Sequence, residues 1–272
     1  MDRQGVGDGI AARRRASGNG RVQRRIFDVV TAALGLVLAA PLLALAAILI
    51  RLTSPGPILY PARRVGLVGR PFTMYKLRTM RPSRGSASAI TAANDPRVFP
   101  LGRWLRAAKI DELPQLWNVL RGDMSIVGPR PEDPGIVAAH YRPAHHATLS
   151  VRPGLTSPGT LYHDTSPDTA TNDGDAETRY LERVLPVKLA IDLYYVRNAS
   201  LRYDLLVIAR TLGLLVAKLM GRRTFREPPE LAGALQWLEA PRSSAAGLRL
   251  EPLDARRLSG RSLSHEGADP WH

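Results

Sequence analysis

The chain contains no cysteine. That excludes a disulfide framework, thiolate zinc sites, iron–sulfur clusters and a thiol nucleophile, so its chemistry rests on oxygen and nitrogen. Lysine is nearly as scarce: of 38 basic residues only Lys76, Lys109, Lys188 and Lys218 are not arginine. A GC-rich coding sequence accounts for that bias, and no function is read from it. Acidic residues number 24, which leaves a net charge of +14 and a pI near 10.9. Such a charge favours nucleic acid, anionic lipid or phosphorylated small molecules without choosing among them. The sequence also lacks a P-loop, a G-x-G-x-x-G, a G-x-S-x-G and an H-E-x-x-H motif, so the common nucleotide, esterase and zinc-protease fingerprints are unsupported. With 272 residues, 44% of them hydrophobic, the chain can still build one sizeable core or two small ones.

Residues 1–25 hold seven arginines and few apolar side chains, the composition of a disordered basic arm. Residues 26–53 follow as a membrane segment. From Ile26 to Ile50 the polar or awkward members are Asp28, Thr31, Gly35 and Pro41, and about 20 apolar residues suffice to span a bilayer. Both flanks are basic, with Arg21, Arg24 and Arg25 before and Arg51, Arg63 and Arg64 after, whereas a simple crossing favours asymmetry. A break at Pro41 leaves two legs too short to cross, so the segment is expected to enter the bilayer and return. A kinked spanning helix is the alternative.

Residues 54–220 read as a compact unit. A hairpin is expected around the Gly-rich turn between Ile58–Tyr60 and Phe72–Leu77, a mobile loop over 82–97, and helix from Leu101 to Arg121 interrupted at Pro114. Residues 151–175 are turn-rich. Helix resumes near Ala176, and Leu201 to Met220 is amphipathic, suited to a core or to the membrane interface. Residues 221–272 form a weakly ordered tail with one short helix near Leu231 to Leu238. The fold class is α/β in the loose sense, helix-rich with a small irregular sheet and no Rossmann sheet.

The densest chemistry runs from Arg103 to Glu132 and includes Arg106, Lys109, Asp111, Glu112 and Gly128-Pro129-Arg130-Pro131. Adjacent carboxylates on a helix point about 100° apart and are not built to share a proton. One can hold a divalent metal while the other attacks an electrophile, with arginines on phosphate oxygens. As a bare pattern an Asp-Glu pair is commonly a solvated face. The adjacent His145 and His146 read as a surface loop.

Several segments together resemble the bacterial sugar transferases, small monotopic polyprenyl-phosphate phosphoglycosyl transferases. They are Arg25-Ile26-Phe27-Asp28, Ser54-Pro55-Gly56-Pro57, Tyr75-Lys76-Leu77-Arg78-Thr79-Met80, Ile110-Asp111-Glu112-Leu113-Pro114-Gln115-Leu116-Trp117-Asn118-Val119, and Val127-Gly128-Pro129-Arg130-Pro131. The similarity covers about residues 24–220. It implies an enzyme that moves a phosphosugar from a nucleoside diphosphate sugar, usually a UDP-sugar, to undecaprenyl phosphate. UMP is released, and an exopolysaccharide, capsule, lipopolysaccharide or other glycan begins. It further implies Asp111 as nucleophile and Glu112 as Mg²⁺ ligand. Arg106 and Arg130 would bind phosphate, with Lys76, Arg78 and Arg64 as further substrate-binding residues. The setting it implies is the cytoplasmic face of the inner membrane, with membrane lipid and no nucleic acid as partners; a homodimer is left open. A non-catalytic scaffold on the same fold is the alternative reading. Two departures stand out. Ala40-Pro41 replaces the family's Ser-Pro at the bend, and Pro153-Gly154-Leu155-Thr156-Ser157-Pro158 replaces Pro-Gly-Ile-Thr-Gly-Trp, which leaves the choice of sugar and nucleotide open.

Overall fold

In the computed structural model, residues 4–81, 95–166, 176–222 and 224–239 are described, without the side chains of 4–19 and 235–239. Helix α1 runs over Gln4–Thr53. Its Gly20–Thr53 portion is long and apolar enough to cross a membrane, and only 11% of its most apolar window is buried. Where a disordered arm was expected up to residue 25, the described backbone is helical from residue 4, and the end of that stretch is tied down. Arg24 pairs with Asp204 at 2.6 Å and donates to the Tyr195 hydroxyl at 2.7 Å. Arg25 donates to the Val119 and Leu120 carbonyls. Pro41 lies inside the helix and does not divide it into two elements. Proline has no donor for the carbonyl four residues earlier, so Val37 is where the ladder is interrupted.

Strands β1 (Leu59–Val65) and β2 (Pro71–Leu77) form the antiparallel hairpin, with Tyr60 opposite Lys76. The long helix expected over 101–121 is broken earlier than Pro114. Helix α2 (Pro100–Ala107) ends, Lys109 turns left-handed at φ 56°, a 3₁₀ turn covers Ile110–Glu112, and α3 (Gln115–Arg121) follows. Pro114 costs little because it begins α3, where its missing N–H has no partner to lose. The short strand β3 (Ser125–Val127), helix α4 (Pro134–His140) and strand β4 (Gly154–Thr156) come next, with β3 and β4 parallel in a second two-stranded sheet.

The turn-rich reading of 151–166 is also corrected. Ser157 accepts from the Thr160 amide at 2.9 Å and Pro158 takes the first helical position, which starts helix α5 (Pro158–Thr165). Residues 82–94 and 167–175, where a loop and an acidic stretch were expected, lie outside the described residues, as does 240–272. Helix α6 (Ala176–Arg179) passes through a π turn at Tyr180–Val184 into α7 (Leu185–Asn198). Helix α8 (Leu201–Leu219) matches expectation, and the short tail helix is α9 (Glu230–Glu239).

Both ends of the apolar helix pack on this one unit. Ala32 and Leu36 join a core with Leu116, Val119, Met124 and Val207, while Leu43, Ala46 and Ile50 join another with Leu77, Phe99, Leu105 and Ile110. Leu113 touches both clusters. The opposite face of the helix stays exposed at Leu34, Val37, Leu38, Leu45 and Leu52.

Strands β3 and β4 meet so closely that a Cβ on Gly154 would lie 2.1 Å from the Gly128 amide nitrogen. Gly154→Ala is expected to cost about 3 kcal/mol, the upper end of an overpacking penalty, because backbone and not a flexible tip must move. A thermal melt of the purified variant checks this; an unchanged midpoint would refute it.

Candidate active site

The site begins with spacing. In a 3₁₀ turn residues three apart lie over one another, so Ile110 and Leu113 both turn toward the cores over α1 and leave Asp111 and Glu112 to other directions. Buried Asn118 docks this segment onto the hairpin: its amide donates to the Thr73 carbonyl at 2.7 Å and its oxygen accepts the Tyr75 amide at 3.1 Å. Lys76 is the next residue along β2, and its ammonium reaches Glu112 at 3.3 Å. From the other side, the Gly128-to-Pro131 turn leaves β3 with both backbone neighbours fixed. Gly128 donates to the Thr156 carbonyl, and Gly154 donates to the Pro129 carbonyl, each at 2.9 Å. Arg130 then forks onto Glu112, with one guanidinium nitrogen at 3.1 Å from Oε2 and the other on Oε1.

The two carboxylates are thus separated in character. Burial alone would raise Glu112, but Arg130, Lys76 and Lys109 override it and hold the group well below the usual carboxylate range. Asp111 is only 6% exposed, and its Oδ1 has no hydrogen-bond partner. Burial first, and the charge on Glu112 second, push it up to about 6 against the pull of Lys76, Arg106 and Lys109. One carboxylate is locked as an anion, and the other is a poorly solvated anion near neutral pH, the state in which a carboxylate is most reactive. Any activity that uses Asp111 as a base or nucleophile is expected to fall below about pH 6, as the group takes up its proton. A kcat/KM profile checks this, and a flat profile down to pH 5 would refute it.

The other predicted residues divide. Arg106 is separated from Asp111 by the left-handed Lys109, so the two do not share the one helix expected over 101–121; it stays within electrostatic reach of Asp111 and rests one guanidinium nitrogen on the Met80 sulfur. Arg64 binds Asp133 at 3.1 Å at the rim. Arg78 is not brought to the pair. It is buried, and it donates to the carbonyls of Ser54 and Pro55 where α1 ends.

Sequence reasoning missed several neighbours. Glu132 is held by Lys188 and by the Tyr180 hydroxyl at 2.7 Å. Asp164 pairs with Lys109 at 3.0 Å, and its carbonyl accepts Lys218 at 2.8 Å. The overlooked signal is the scarcity of lysine: three of the four lysines of an otherwise arginine-based chain pair with carboxylates in or next to this site, and the fourth, Lys218, bonds the Asp164 backbone carbonyl.

Among the described residues no three His, Asp or Glu side chains gather to hold a metal. The donor set is Asp111 Oδ1, which lacks a partner, and Glu112, both of whose oxygens already carry cations. Glu112 would fit a magnesium ion that arrives with phosphate oxygens as its remaining ligands once those phosphates draw Arg130 and Lys76 off its carboxylate, because Mg²⁺ is commonly bound by one or two carboxylates plus substrate phosphate.

Arginine and lysine thus surround two unlike carboxylates, beside a helix long and apolar enough to cross a membrane. Residues 19–218 match the family model of bacterial sugar transferases, and the chain belongs to that family of enzymes. Over 197 residues it is 45% identical to a protein of Caulobacter vibrioides named UDP-glucose:undecaprenyl-phosphate glucose-1-phosphate transferase, covering 70% of this chain and 68% of that relative. A protein of Escherichia coli K12 with the same name is 35% identical over 202 residues, 72% of this chain and 40% of that one. The exopolysaccharide production protein PSS of Rhizobium leguminosarum is 36% identical over 197 residues, 70% of this chain and 93% of that relative.

Proposed function

We propose that this chain transfers a phosphosugar from a UDP-sugar to undecaprenyl phosphate, releasing UMP, as the first membrane step of a bacterial glycan. The observation that carries the reading is the pairing of a buried Asp111 lacking a partner on Oδ1 with a Glu112 locked ionised by Arg130 and Lys76. The printed names of the Caulobacter and Escherichia relatives support the donor and acceptor classes.

In the first step an Asp111 carboxylate oxygen attacks the phosphorus that bears the sugar. The bond from that phosphorus to the bridging oxygen breaks, and UMP leaves with the electron pair. In the second step an oxygen of the acceptor phosphate attacks the same phosphorus, and Asp111 departs as a carboxylate. No proton has to be stored between the steps. Arg130, Lys76 and Arg106 neutralise the diphosphate that a carboxylate must approach. Mg²⁺, held by Glu112, would neutralise the same oxygens and make UMP a better leaving group. UMP release with a panel of UDP-sugars, undecaprenyl phosphate and Mg²⁺ tests the reading, and no release with any donor would sink it.

The apolar helix is proposed to enter the cytoplasmic leaflet and return. Both of its ends pack on one soluble unit, at Asp28 against Ser125 and Ile126 and at Ile50 against Leu77 and Phe99. The cysteine-free background allows a direct test. Val22→Cys and Leu52→Cys, both at exposed positions, are expected to react with an impermeant maleimide from the cytoplasmic side only. Labelling of one from the periplasm would show a spanning helix instead.

A further inference from the structure

The proposed transfer needs places for two phosphates, a donor diphosphate and an acceptor monophosphate, and the cations near Asp111 fall into two groups. Arg130 and Lys76 sit on Glu112. Lys109 and Lys218 sit on Asp164, one on its carboxylate at 3.0 Å and the other on its carbonyl at 2.8 Å. We infer that Lys109 and Lys218, bridged by Asp164, form the seat of the acceptor lipid's phosphate; the inference rests on the transfer reading above.

Three observations carry it. First, the pair stands between a lipid-compatible surface and the dyad. The outer face of α8 is exposed and apolar at Leu205, Leu206, Leu212, Val216, Leu219 and Met220, and Lys218 projects from the opposite side of that helix, inward to Asp164. Lys109 is two residues from Asp111 and acts electrostatically on both Asp111 and Glu112. A phosphate on a polyprenyl chain whose tail follows the α8 face would reach the dyad by this side. Second, Lys109 is held in the left-handed region at φ 56°. A non-glycine residue there costs energy, and such strain gathers at functional sites. Third, Lys109 and Lys218 repel each other, and the Asp164 carboxylate, held below the usual range against burial by His163, Lys109 and Lys218, keeps them together before a ligand comes. The Lys109 side chain remains 30% exposed, so an incoming phosphate can reach it. A compact ammonium with rotatable donors suits a phosphomonoester arriving end-on.

The test is equilibrium binding to the full chain in phosphatidylcholine nanodiscs, with polyprenyl phosphate, polyprenol and inorganic phosphate as probes. The wild type is expected to prefer polyprenyl phosphate over polyprenol by about tenfold or more, the scale of a charge-assisted contact. Lys109→Met and Lys218→Met are each expected to erase most of that preference and leave polyprenol binding unchanged. Lys218→Arg should keep it, and so should Arg70→Met, which removes an exposed charge in the turn between β1 and β2. An undiminished preference in both methionine variants overturns the proposal. So does a parallel fall in polyprenol binding, which reports a fold defect, or inorganic phosphate competing as well as the lipid, which reports a plain anion site. A preserved lipid preference without sugar-phosphate transfer would sink the transfer reading and leave the phosphate seat standing.

Discussion

Asp111→Asn is expected to lower sugar-phosphate transfer by about 10³-fold or more, the scale seen when a covalent nucleophile is removed, and to make the protein more stable at the same time. The first effect follows from the missing carboxylate oxygen. The second follows from linkage. Burial and Glu112 raise the Asp111 group from its ordinary value of 3.8 to about 6, so the native state binds more protons than the unfolded chain between those values. Stability contributed by this group is therefore lost as pH rises through that window, and at pH 7 the charged form is a liability. An asparagine removes it, with a gain of about 1–3 kcal/mol at pH 7 and little gain at pH 4. Thermal melts at the two pH values, run beside the transfer assay and a search for a phosphosugar retained on denatured protein, decide the matter. An Asp111→Asn protein that still turns over, or one less stable than wild type at pH 7, would refute the assignment.

Arg130→Met should act in the opposite sense on stability. It takes the fork from a carboxylate that is only 12% exposed at the side chain, and stranding a buried charge costs about 3 kcal/mol even where a second cation remains. Lys76 at 3.3 Å limits the damage but cannot replace a two-point contact. Transfer is expected to fall by about 10²-fold, the usual scale for one missing donor to developing charge. The double variant Arg130→Met with Glu112→Gln removes the stranded carboxylate but takes the partner from Lys76, so it should recover part of the stability and none of the activity. If the double variant is less stable than the single, Glu112 is not the group that Arg130 serves.

How much of this was legible beforehand differs by residue. Asp111, Glu112, Arg130 and Lys76 stand in segments whose composition already marks them, and they converge in space. The hairpin and α8 follow from local alternation and helical periodicity and were read within a few residues. Arg78 has the same residue type and a motif position beside Lys76, yet it closes the turn after α1, because its role depends on which carbonyls the end of a distant helix presents. The basic arm reads as disordered by composition, and its last turn is ordered because Asp204, about 180 positions later, supplies a carboxylate. The break at Lys109 had no local sign, since neither glycine nor proline marks it.

By itself the sequence determined what is periodic or compositional: a basic chain without thiol chemistry, an apolar segment over residues 26–53, a helix-rich unit, and the segments that place the chain in its family. Only the tertiary structure decided what depends on contact across the chain. It made one of two adjacent carboxylates a locked anion and the other a buried one near neutrality. It also turned three scattered lysines into partners of the acids around them. Local pattern is set by neighbours in sequence, whereas charge state and ligand geometry are set by desolvation and by partners that folding alone brings within a few ångströms.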